Sequence, residues 1–183
     1  MDSDTLARRL GTTAHVSPLL AKARKLGLRA AADLEKLAIQ RGCRYYDLHG
    51  VVREEPLIQV DRKDFSNAEL AVALLALYQP VSLLRQRMGA AMLSAPDVNV
   101  HHLAALAIEE QCPGIVHYIA RCASSVEPEK TEWKQLQVLL ASYSCSPEGM
   151  PHPTRFIEMT GITRGKVGIV KHWVRPVEAL ALS

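Results

Sequence analysis

Aromatic residues are scarce: two phenylalanines, two tryptophans and five tyrosines make up 5% of 183 residues. Strands favour aromatic and β-branched residues, so a core left to Leu, Ala, Val and Ile argues for close-packed helices. The four cysteines, Cys43, Cys112, Cys122 and Cys145, contain no C-x-x-C pair. No secretory leader is recognisable before them, which leads us to expect four reduced thiols and a cytoplasmic setting. Long apolar runs are missing too, because a charge interrupts every few residues, and no membrane span is expected. There is no H-E-x-x-H, no glycine-rich phosphate loop and no G-x-S-x-G. These absences leave no catalytic residue, cofactor or metal site to name, and a non-catalytic protein is the expectation.

What is present is ordinary for a globular chain, with 48% hydrophobic and 22% charged residues. The net charge of +3 is unevenly spread. Residues 1–50 hold nine Lys/Arg against five Asp/Glu, residues 51–150 eight against twelve, and residues 151–183 five against two. Basic ends flank an acidic middle, a segregation common in nucleic-acid binders and equally compatible with chance surface variation.

Helix signals recur along the chain. A short basic helix is expected over Thr5–Leu10. Ser17-Pro18 offers an N-cap with proline at the first helical position, and Gly27 a stop. A third helix runs from about Ala30 to Arg41, with Gly42 just past its end. Residues 1–42 thus form a basic helical segment. Residues 43–64 are a linker or small extended element, and the only place where a short strand pair is expected. Ser66 and Glu69 make a capping box, with Phe65 and Leu70 as its hydrophobic staple. Further helices are expected over Ser82–Ser94, from Asn99 to about Gln111, from Pro113 to about Cys122, and over Glu129–Ser142. Their short connections make 65–143 a core of antiparallel helical hairpins. A Pro-rich loop then leads into a basic C-terminal helical hairpin at 144–183. The fold class is all-α, packed as a bundle or a short solenoid, and the segments are compatible with one globular domain.

Leu37, Leu70, Leu103 and Leu136 are spaced by 33 residues each, with Ala38, Ala71 and Ala104 after three of them and Pro80 and Pro113 at one shared offset. The stretch from Val98 through Leu103-Ala104-Ala105, Gly114-Ile115-Val116 and Ile119, to Val126, resembles one unit of the ankyrin repeat family, although His101-His102 stands where that family carries Thr-Pro. The resemblance implies stacked helical hairpins that bind a protein partner on an exposed face. An irregular α-bundle reads the same leucines as chance.

Residues 153–172 separately resemble a helix-turn-helix. Gly161 takes the turn, while Phe156, Ile162, Val167 and Val170 take buried positions. The resemblance implies DNA contacts from Thr163, Arg164, Lys166 and Lys171, with Trp173 anchoring the tail. Ile157, Thr160, Gly165 and Gly168 depart from the pattern, and the glycines each cost a helix about 1 kcal/mol.

Weaker groupings are set aside. Cys112, His117 and Cys122 recur every five residues, which does not place them on one helix face. Adjacent His101 and His102 point apart, and Glu109-Glu110 is expected to be a solvated face. Tyr45, Tyr46 and His49 beside Arg44 form a small stacking motif that a packed loop explains as well. The functional expectation is a helical interaction or adaptor module with a protein partner. The alternative is a small DNA-binding regulator or antitoxin-like protein using the tail.

Overall fold

The computed structural model describes residues 17–43, 57–76, 82–144, 149–160 and 170–177. The Thr5–Leu10 helix and the Tyr45–His49 motif fall outside them. Among the described residues seven α-helices form: α1 (Pro18–Lys25), α2 (Ala31–Gln40), α3 (Asn67–Leu75), α4 (Leu83–Met92), α5 (Val100–Glu109), α6 (Pro113–Val126) and α7 (Thr131–Leu139). Short 3-10 turns follow at Ala141–Tyr143 and Pro153–Phe156, and two strands, β1 (Ile157–Thr160) and β2 (Val170–Trp173), pair antiparallel. The all-α expectation holds.

Local chemistry sets most helix starts. Ser17 Oγ accepts from the Leu20 amide at 2.9 Å, and Asn99 Oδ1 from the His102 amide at 3.0 Å. The capping box closes from both sides: the Glu69 amide donates to Ser66 Oγ at 3.2 Å and the Ser66 amide to Glu69 Oε2 at 2.8 Å. Each such cap satisfies amides that the helix itself leaves open. Helix ends are equally defined. Gly27 (φ +88°) and Gly42 (φ +93°) adopt the left-handed conformation, and the Leu28 and Cys43 amides reach back to the Ala23 and Ala38 carbonyls at 3.0 and 2.9 Å, the Schellman closure.

The centre is α3. Every residue from Asn67 to Leu75 except Glu69 is buried, as expected of a helix apolar on all sides. α1, α2, α4 and α5 pack around it, and α4 makes the most extensive contact. Gly89 permits that approach, since a Cβ there would lie 2.6 Å from Leu75 Cγ. α2 packs on α3, α3 on α5, and α5 on α7, and each of these four helices carries one of the evenly spaced leucines. Leu37, Leu70, Leu103 and Leu136 are all buried, at 2% exposure or less.

Two departures from the sequence reading stand out. Residues 57–64 contain no strand, and the described strand pair lies in the tail, where helices were expected. Ile157 pairs with Trp173 and Thr160 with Val170. Ile157 is β-branched, and the pleated form suits such a side chain better than a helix does. In addition, Glu110 is not solvated: it is 1% exposed. It sits one residue past α5, at the helix C-cap, and its carboxylate accepts from groups at the start of α1.

Candidate functional site

The tail is fastened to the helices at one buried carboxylate. Glu127 ends α6 and is 6% exposed. It accepts from the Trp133 indole N–H at 3.3 Å, the Trp173 amide at 3.4 Å and Arg175 Nη1 at 2.6 Å, and Arg175 Nη2 donates to its other oxygen. Burial alone would push its pKa up. The hydrogen-bonded Arg175 guanidinium outweighs burial and holds the carboxyl below its ordinary value. Trp173 in turn donates from its indole to the Ala90 carbonyl at 3.2 Å and stacks on Phe156 at 5.5 Å. The chain then runs on to Val177, whose amide donates to the Gly42 carbonyl at 3.0 Å.

This clasp brings Arg175 to the mouth of a cleft between the α4–α5 loop, α5 and α7. Its apolar lining comes from Leu93, Ala95, Leu103, Trp133 and Leu136, all buried, with Val98 and Val100 half-buried at the lip. Asn99 caps α5 between those two valines, so the cap also sets the lip. Lys130, Glu132 and Arg175 form the charged rim. The cleft holds about 180 Å³. That is below the usual ~300–1,000 Å³ of a pocket for a drug-sized ligand or cofactor. It suits one large side chain.

Of the four residues named for DNA contact, Lys171 alone falls among the described residues, and it does not line the cleft. Thr163, Arg164 and Lys166 fall outside the described residues. Lys171 is exposed on β2, opposite Met159 in the register. The helix-turn-helix frame requires helix through residues 157–160 and again at 170–172, and both stretches are paired strand. His101 and His102 are exposed at the start of α5. Cys112 and Cys122 are buried, and no group of three metal-ligating side chains occurs among the described residues. Burial and the nearby Glu110 push the Cys112 thiol up to about 12, which leaves it protonated and unreactive at neutral pH. Cys43, Cys112 and Cys122 are in no disulfide, and Cys145 falls outside the described residues. His117, buried beside Arg121, has its pKa lowered by desolvation first and by that charge second.

Sequence reasoning missed Glu127, Lys130, Trp133 and Arg175 as a group. They lie up to 48 residues apart, and no local motif joins them. The one signal was Trp173, an aromatic in an aromatic-poor chain, which marked the tail as docked. Comparison with protein-family models, with curated proteins and with solved structures finds no significant match. Among the described residues no helix is long and apolar enough to cross a membrane.

Proposed function

We propose that this chain is a non-catalytic helical interaction module that binds a protein partner through the α5–α7 cleft. The carrying observation is the cleft itself, an apolar floor of buried side chains beneath a charged rim. Interface hot spots are built this way, from a desolvated pocket that takes one anchor and a polar border that excludes water. Its volume suits an anchor residue and disfavours an organic cofactor. The succession of α2, α3, α5 and α7 supports the same reading, because a row of packed helices presents a continuous face to a partner.

The test plugs the cleft from its lip. Val98 is half-buried, so Val98→Trp fills the opening without displacing the core. Protein captured from cell extract by the wild-type chain is expected to be lost with Val98→Trp, while circular dichroism and the melting temperature stay unchanged. The rival reading, nucleic-acid binding by the basic tail, makes the opposite demand. Duplex DNA bound at low salt, weakening steeply as salt rises and indifferent to Val98→Trp, would replace the present proposal.

A further inference from the structure

We propose that the outer face of α7, away from the cleft, is a self-association surface on which a second copy of this chain docks by the same face, as a two-fold dimer. α7 is packed by α5 and by α6, with Trp133, Leu136 and Leu140 in the core. Its remaining side divides in two. The first turn is charged, with Glu132 and Lys134 exposed. From Gln135 to Ser144 there is no charge, in a sequence that is 22% charged, and most of those residues are exposed. Gln135, Val138 and Leu139 stand at i, i+3 and i+4 on one stripe of the helix, and the exposed Ala141 and Tyr143 follow in the 3-10 turn. Val138 is 76% exposed, more than any other large hydrophobic side chain among the described residues. The outer side of a terminal element in a row of packed helices is normally polar, which keeps the chain alone in water. This one is apolar where it is most exposed. The occupant follows from the missing charge. In a two-fold contact each residue near the axis meets its own counterpart, so a charged face repels itself and an uncharged one does not. α2, at the other end of the row, carries Asp33, Glu35 and Lys36, and so offers no matching face for a head-to-tail contact. A face without charge also gives an acidic or basic partner nothing to pair with.

Sedimentation velocity of the full chain over a concentration series tests this. The wild type is expected to pass from monomer to dimer. A face centred on Val138, Leu139 and Tyr143 falls short of the ~20–30 residues a side of a standard interface, so the dissociation constant should lie in roughly the micromolar range. Val138→Glu and Val138→Lys should each weaken the dimer at least about tenfold, because each sets a charge against its own copy. An equimolar mixture of the two should recover association, since opposite charges then face across the axis. Val138 is too exposed to support the core, so circular dichroism at low protein concentration should be unchanged. Gln135→Glu and Gln135→Lys repeat the pair from the same stripe should a Val138 variant fail to fold. Val98→Trp should leave the dimer intact, and Val138→Glu should leave capture through the cleft intact, so the two surfaces are tested apart. A wild type that stays monomeric to about 1 mM, or a dimer indifferent to these charges, overturns the inference and leaves the cleft reading standing. A mixture no tighter than either variant alone, or species that keep growing past the dimer, overturns the two-fold contact of this face with itself.

Discussion

At the scale of single residues, the buried polar groups are the places where little substitution is tolerated. Glu110 is the clearest. Its carboxylate accepts from Ser17 Oγ at 2.5 Å and from the Leu19 amide at 2.9 Å, two donors at the start of α1, a helix with no acidic residue in its own first turn. A carboxylate there is favoured by the open amides and the positive end of the helix. Ser17 therefore has two tasks, capping Leu20 and donating to Glu110. Ser17→Ala removes the cap, at about 1 kcal/mol, and also leaves a buried carboxylate oxygen short of a donor, at about 1–3 kcal/mol. Glu110→Gln keeps the shape but turns one acceptor into a donor, so the charge-assisted bond from Ser17 is lost. Ser17→Ala should lower stability by about 2–4 kcal/mol and Glu110→Gln by about 1–3 kcal/mol, read from denaturant midpoints at constant slope. The double variant should cost less than the two single losses added, because they share one contact. Full additivity would mean that the pair does not act as a unit.

Helices show what could be read from sequence and where the reading ran out. Ser17-Pro18, the Ser66–Glu69 box and Asn99 were legible because capping is a matter of residues three apart. Gly27 and Gly42 were legible as stops because only glycine takes the left-handed conformation without steric cost. The end of α5, expected at about Gln111, carries no glycine, and the same Schellman closure occurs there on a different residue. Gln111 has φ +58°, and the Cys112 amide reaches the Ala107 carbonyl at 2.9 Å. The strands were hidden for another reason. Their pairing spans residues 157 to 173, and Phe156, Val170 and Trp173 fit a helical frame as readily as a strand when no partner is known. The cleft was least legible, because its lining is gathered from three separate stretches of chain. Gln111 supplies the test at this scale. A non-glycine residue in the left-handed region costs about 1–2 kcal/mol, and Gln111 is exposed, so little contact is lost with its side chain. Gln111→Gly should raise the melting temperature by a few degrees, consistent with about 1 kcal/mol in a chain of this size. Gly42→Gln, the reverse exchange, should be severely destabilising, since a Cβ at Gly42 would lie 1.8 Å from the Val177 carbonyl oxygen.

For the whole molecule, the question is what keeps the tail on the helices and the cleft mouth in shape. The core is shared by helices from Leu19 to Leu140, and Phe156, Trp173 and Val174 extend it into the tail. Apolar burial there does not vary with pH, whereas the Glu127–Arg175 contact does. The folded pKa of Glu127 is depressed, so its contribution is fully present above the ordinary glutamate value of 4.5 and is lost as pH falls through the lower folded value. Acidification below 4.5 should therefore release the tail before the helices melt. Tryptophan emission should report it, because Trp133 and Trp173, 5.6 Å apart, would both gain access to water. Far-ultraviolet circular dichroism should lag behind. Arg175→Ala moves the same event in a defined direction. Without the guanidinium, burial becomes the dominant influence on Glu127 and raises its pKa, so the emission change should begin at higher pH than in the wild type. The variant should also lose roughly 2–3 kcal/mol at neutral pH, where a buried carboxylate keeps only the donors from Trp133 and Trp173. Glu127→Gln combined with Arg175→Ala removes the titrating group and should abolish the shift in emission while recovering part of the lost stability. Emission that still changes below pH 4.5 in the double variant would place the acid-sensitive contact elsewhere in the fold, and the cleft mouth would then not depend on this carboxylate.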